Sequence, residues 1–81
     1  MRVELTRRAD KDYQRLPPQL QRQVDKQFAY LSDNLRHPSL DAKKYGGVDD
    51  VWQGRVNRDY RFYFQILDNT YLVLMIVPHP K

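Results

Sequence analysis

Arg55, Arg61 and His79 are the side chains of this 81-residue sequence best equipped to act on a phosphodiester, with Tyr63, Tyr71 and the Lys43-Lys44 pair placed to join them. An arginine presents a planar fork of donors and stays charged, so it binds phosphate and stabilises the added negative charge of a phosphorane-like transition state. An imidazole can give or take a proton near neutrality. Each residue also has a plainer reading. An arginine on a half-exposed strand most often serves as a surface ion-pair partner, and a lone histidine near the end of a chain is most often solvated. The three acquire a joint meaning only if the fold places them on one surface.

Their placement follows from the hydrophobic pattern. Met1 to Leu5 alternates and predicts a short strand, Thr6 can cap a first helix carrying Ala9, Tyr13 and Leu16, and Pro17-Pro18 must break it. Leu16, Leu20, Val24, Phe28, Leu31 and Leu35 form the apolar stripe of a second helix, with His37 read as its C-terminal cap. A polar connection, Leu40 to Asp50, turns at Gly46-Gly47. The period then becomes two over Val51–Val56, Tyr60–Leu67 and Tyr71–Val77. The expected fold is α+β, in the order β-α-α-β-β-β, with a helical hairpin packed on one face of an antiparallel sheet.

Three-residue loops at Asn57-Arg58-Asp59 and Asp68-Asn69-Thr70 would keep parity across the strands. Trp52, Val56, Tyr60, Phe62, Phe64, Ile66, Leu72, Leu74 and Ile76 would then line the core face. Gln53, Arg55, Arg61, Tyr63, Gln65, Tyr71, Met75 and His79 would line the other.

Composition removes many alternatives. The chain is long enough for one small domain, 1–81, and it has no cysteine for disulfides, thiolate metal sites or thiol nucleophiles. Two histidines without an HExxH pattern, acidic residues without pairing, and three glycines outside any phosphate-loop motif predict neither a metal site nor a nucleotide cofactor. The longest apolar run, Tyr71 to Val77, is too short to span a bilayer, and the first residues lack a signal peptide's apolar stretch, so a soluble, cytoplasmic protein is expected. Fourteen Lys and Arg against ten Asp and Glu give a formal charge of +4, which favours a polyanionic partner.

The segments Pro38-Ser39-Leu40-Asp41-Ala42-Lys43-Lys44, Val51-Trp52-Gln53-Gly54-Arg55-Val56-Asn57-Arg58-Asp59-Tyr60-Arg61-Phe62 and Ile76-Val77-Pro78-His79 closely resemble the RelE/ParE superfamily of toxins from bacterial type II toxin–antitoxin modules. The most specific piece is W-x-x-R-V-N-x-D-Y-R. The resemblance spans nearly the whole chain and implies a metal-independent endoribonuclease that cuts mRNA on the ribosome, with the substrate's 2′-hydroxyl as nucleophile. It makes Arg61 the residue that steadies the scissile phosphate, His79 a general acid or base, and Arg55 a second catalytic cation. Lys43, Lys44, Tyr45 and Arg58 would bind RNA. Cleaving relatives often carry a base-stacking aromatic after the histidine. Here Pro80-Lys81 follows, so either another aromatic such as Tyr45 stacks on the base or cleavage is slow.

The resemblance also implies a partner, an acidic and partly disordered antitoxin that lays an amphipathic segment over the helix pair or the basic face. Two alternatives remain at this level. One is a non-enzymatic toxin of the ParE branch that inhibits DNA gyrase, a branch that generally lacks the terminal histidine. The other is a relative that only binds nucleic acid or its antitoxin.

Overall fold

The computed structural model describes residues 1–46 and 50–80; Gly47, part of the expected turn, and Lys81 lie outside the described residues. In chain order the elements are β1 (Arg2–Leu5), α1 (Arg7–Gln14), α2 (Pro18–Asp33), a 3-10 turn (Pro38–Leu40), β2 (Lys43–Lys44), β3 (Trp52–Arg55), β4 (Tyr60–Leu67) and β5 (Thr70–Pro78). The strands form one sheet in the order β1-β5-β4-β3-β2. The expected meander is its antiparallel centre, and the α+β class holds. Two additions lie at the edges. β1 pairs with β5 in parallel, Arg2 opposite Thr70, and Lys43–Lys44, expected in a connecting loop, pairs with the free edge of β3. Both additions satisfy backbone groups that an edge strand otherwise leaves to water.

Thr6 caps α1, its hydroxyl oxygen accepting the Ala9 N–H at 3.1 Å. The proline pair ends that helix and starts the next, with Pro18 in the first turn, where a missing N–H is no loss. Val24 and Leu31 of α2 are fully buried with Phe62 and Phe64 of β4, and Phe28 meets Phe62 edge-on at 5.1 Å. His37 does not cap α2, which already closes at Asn34. Its Nδ1 instead accepts the Ser39 N–H at 3.2 Å at the start of the 3-10 turn, and its ring stacks on Tyr30 at 3.8 Å. Among the described residues no helix is long and apolar enough to cross a membrane.

The first sheet hairpin has the expected register, Arg55 opposite Arg61. The second does not. Leu67 pairs with Thr70, so the turn holds only Asp68-Asn69, with Asp68 at φ 51°, a left-handed conformation that aspartate tolerates better than most residues. Pairing runs one residue out of the expected phase as far as Phe64 opposite Val73; Leu74 is then bulged out, and Tyr63 opposite Met75 restores the phase. Tyr71 and Val73, not Leu72 and Leu74, therefore enter the core, Tyr71 packing edge-on to Phe64 at 5.7 Å. Ile66, expected inside, lies exposed near the turn.

Beyond β1, helix α1 closes the edge of β5. The Thr6 N–H and hydroxyl donate to Val73 and Leu74 carbonyls, each at 3.0 Å, and Asp12 Oδ2 accepts the Ile76 N–H at 3.0 Å. Pro78, two residues on and facing the same way, has no N–H to satisfy.

Candidate nucleic-acid interface

The outer face of the sheet, away from the helices, is built in rows. Arg55 stands opposite Arg61 and Arg61 opposite Val77. The His79 N–H donates to the Asp59 carbonyl at 2.7 Å, which continues the same ladder and puts His79 on that face about 7 Å beyond Val77. One row further along the strands come Lys43, Gln53, Tyr63 and Met75. Tyr45 follows, its N–H donating to the Val51 carbonyl at 2.8 Å and its ring edge-on to Tyr63 at 5.0 Å. The structure thus brings Arg55, Arg61, His79, Lys43, Tyr45 and Tyr63 to one surface. Arg58 is exposed in the adjoining hairpin loop.

Two residues expected there are elsewhere. Tyr71 is in the core for the register reason given above. Lys44, one step from Lys43 on a strand, points to the opposite face, with Nζ 6.0 Å from the centre of the Trp52 ring.

The end of this surface that carries Arg61 and His79 is organised by Asn57. Its side-chain oxygen accepts the N–H groups of Asp59 and Tyr60 at 2.7 and 2.9 Å, and its side-chain nitrogen donates to Gln23 of α2 at 2.6 Å. Its backbone carbonyl, with that of Tyr60, takes Arg61 Nη1 at 2.6 and 3.0 Å. The guanidinium is therefore held by one nitrogen, while Nε and Nη2 make no hydrogen bond among the described residues. Arg55, Arg58, Arg61 and Lys43 form no ion pair among the described residues, so their charge is available to an anion.

Sequence reasoning placed Asn57 in the hairpin loop but missed its part in holding the loop and Arg61, and it missed Gln27 altogether. An Asn at the first position of a hairpin loop, able to accept the N–H groups that follow it, was the usable signal for that part. Gln27 is a polar residue at a stripe position, three after Val24 and four before Leu31, and such an interruption marks a buried polar contact. Among the described residues no group of three His, Asp or Glu side chains stands close enough to hold a metal ion.

Over residues 3–80 the chain matches the profile of the ParE toxin family, the toxins of type II toxin–antitoxin systems of the parDE kind. It belongs to that family. Solved structures agree on the fold of this toxin. A YoeB/ParE toxin from Agrobacterium tumefaciens superposes with a TM-score of 0.83 at 15% identity, covering 99% of this chain and 100% of that one. The intact RelBE toxin–antitoxin complex of E. coli contributes a chain with a TM-score of 0.78 at 18% identity, covering 99% and 98%. The RelBE2 toxin–antitoxin complex of Mycobacterium tuberculosis gives 0.77 at 25% identity, covering 99% and 92%. Among curated proteins the toxin has no significant sequence match.

Proposed function

We propose that this toxin is a metal-independent endoribonuclease that cuts mRNA on the ribosome, restrained by an acidic antitoxin. The observation that carries the reading is the shared outer face of Arg55, Arg61 and His79, with Arg61 anchored by Nη1 and unbonded at its other nitrogens among the described residues. The substrate's 2′-oxygen attacks the adjacent phosphorus, its proton passing to solvent, and the bond to the 5′-oxygen breaks. Arg61, with Arg55 beside it, stabilises the charge that gathers on the phosphoryl oxygens. His79 donates a proton to the departing 5′-oxygen. Lys43 and Arg58 hold the flanking backbone, and the Tyr45–Tyr63 pair offers a ring face to a base. The antitoxin partner is supported by the chain's positive charge and by relatives solved as toxin–antitoxin complexes.

The test is to induce the toxin and its His79→Gln variant in a host, then run primer extension on mRNA alongside a plasmid supercoiling assay. Cleavage that vanishes with His79→Gln, and returns on a substrate with a 5′-thio leaving group, is the expected result. Growth arrest with intact mRNA and altered supercoiling would transfer the assignment to gyrase inhibition.

A further inference from the structure

We propose that RNA bound on the outer face continues around the β2 edge and seats one nucleobase in a slot on the helix side of the sheet, lined by Arg36, His37, Asp41 and Trp52; this rests on the ribonuclease reading above. β2 is the outermost strand on its side of the sheet, and Lys43 and Lys44 alternate across it. The edge therefore offers one cation to each face. Lys43 is two strands and one row from Arg61, a distance of about 12 Å, and Lys44 lies just around the edge. A flexible single strand can follow that path with its phosphates on the two lysines.

Beyond Lys44 the backbone meets a slot of about 210 Å³. Trp52 forms one wall, already under the Lys44 ammonium. His37, held on the Tyr30 ring at 3.8 Å, forms another, so the aromatic surface is set before anything binds. Arg36 stands at the same slot as a further partner for phosphate. Aromatic walls flanked by cations suit a stacked base next to its backbone.

At the slot itself, Asp41 favours an uncharged base over an acidic side chain. Asp41 lines the slot, and its carboxylate makes no hydrogen bond or ion pair among the described residues. It would repel the carboxylates of an acidic peptide, whereas it can accept a hydrogen bond from the exocyclic amino group of a base.

Trp52 is the only tryptophan in the chain, so its fluorescence reports on the slot directly. The full chain carrying His79→Gln is titrated with an oligoribonucleotide of three residues and one of eight. The longer RNA is expected to quench Trp52 as it binds, and the shorter to bind without quenching. Lys44→Ala should weaken the longer RNA by roughly threefold to tenfold, lower its salt slope by about one, and leave the shorter RNA unaffected. Binding of the longer RNA without a change at Trp52, or an equal loss for both lengths, overturns the path around the edge. Quenching by a polyglutamate peptide that the longer RNA cannot displace would give the slot to a protein partner instead. If neither RNA binds, the ribonuclease reading falls, and this inference with it.

Discussion

The side-chain amide of Gln27 donates to the backbone carbonyl of Arg55 at 2.7 Å. The same nitrogen reaches the Ser39 carbonyl at 3.1 Å, and Gln27 is only 5% exposed. One buried amide thus ties α2 to the 3-10 turn and to the end of β3 that presents Arg55. Gln27→Ala should leave these carbonyls without a donor and destabilise the fold by about 1–3 kcal/mol. Gln27→Glu should do no better, because a carboxylate cannot donate. Urea unfolding of both variants checks this; a midpoint equal to the parent's would mean the amide is dispensable.

Arg61 divides its guanidinium between the hairpin carbonyls and the open surface. Under the ribonuclease reading, Arg61→Ala should lower the cleavage rate by about 10²–10³ while weakening RNA association much less. Arg61→Lys should rescue little, since a single ammonium cannot bond two carbonyls and a phosphate in the same geometry. Lys43→Ala should instead weaken association and leave turnover of bound RNA intact. Single-turnover kinetics separate the two patterns, and equal losses for Arg61→Ala would make it a docking residue.

Gly54 is buried opposite Phe62, and a Cβ there would overlap the Phe62 ring. Phe62 is fully buried, its ring packed against those of Phe28 and Phe64, and has nowhere to go. Gly54→Ala should cost about 1–3 kcal/mol through overpacking. Thermal unfolding checks it, and Gly54→Ala with Phe62→Leu should recover part of the loss.

The Tyr13 hydroxyl donates to Asp25 at 2.8 Å, linking the two helices. That hydrogen bond, with some burial and the nearby carboxylate charge, raises the phenol's pKa above its ordinary value of 10.0. The protonated phenol is the form the fold favours, so its contribution is fully present below the unfolded pKa and is lost as pH rises through the folded one. The stability difference between the parent and Tyr13→Phe should therefore be flat through neutral pH and shrink only at strongly alkaline pH. A difference that already changes between pH 6 and 8 would contradict this.

What the sequence made legible was set by local, repeating signals. The helix stripe, the proline break, the Thr6 cap and the Asn57 hairpin each depend on residues close in sequence. That is why the alternation of the strands and the length of one loop suffice to place Arg55 and Arg61 side by side. The second hairpin could not be read this way. Its two-residue turn and the Leu74 bulge together change which residues enter the core, and burying Tyr71 rather than Leu72 is decided by rings elsewhere in the sheet. Lys44 was misplaced for a related reason: a basic pair read as a loop has no faces, and the same pair on a strand has two. Asp12 gave no sign of its role because its partner, the Ile76 N–H, is 64 positions away.

The parallel pairing of β1 with β5 joins the first described strand to the last. Arg2 can find Thr70 only after the intervening chain has been synthesised, so the sheet cannot close on a growing polypeptide until β5 has cleared the ribosome. His79 follows β5 directly. A chain translated only as far as β4 therefore holds Arg55 and Arg61 without a finished sheet beneath them, and the full outer face comes into being only after β5 and His79 have emerged.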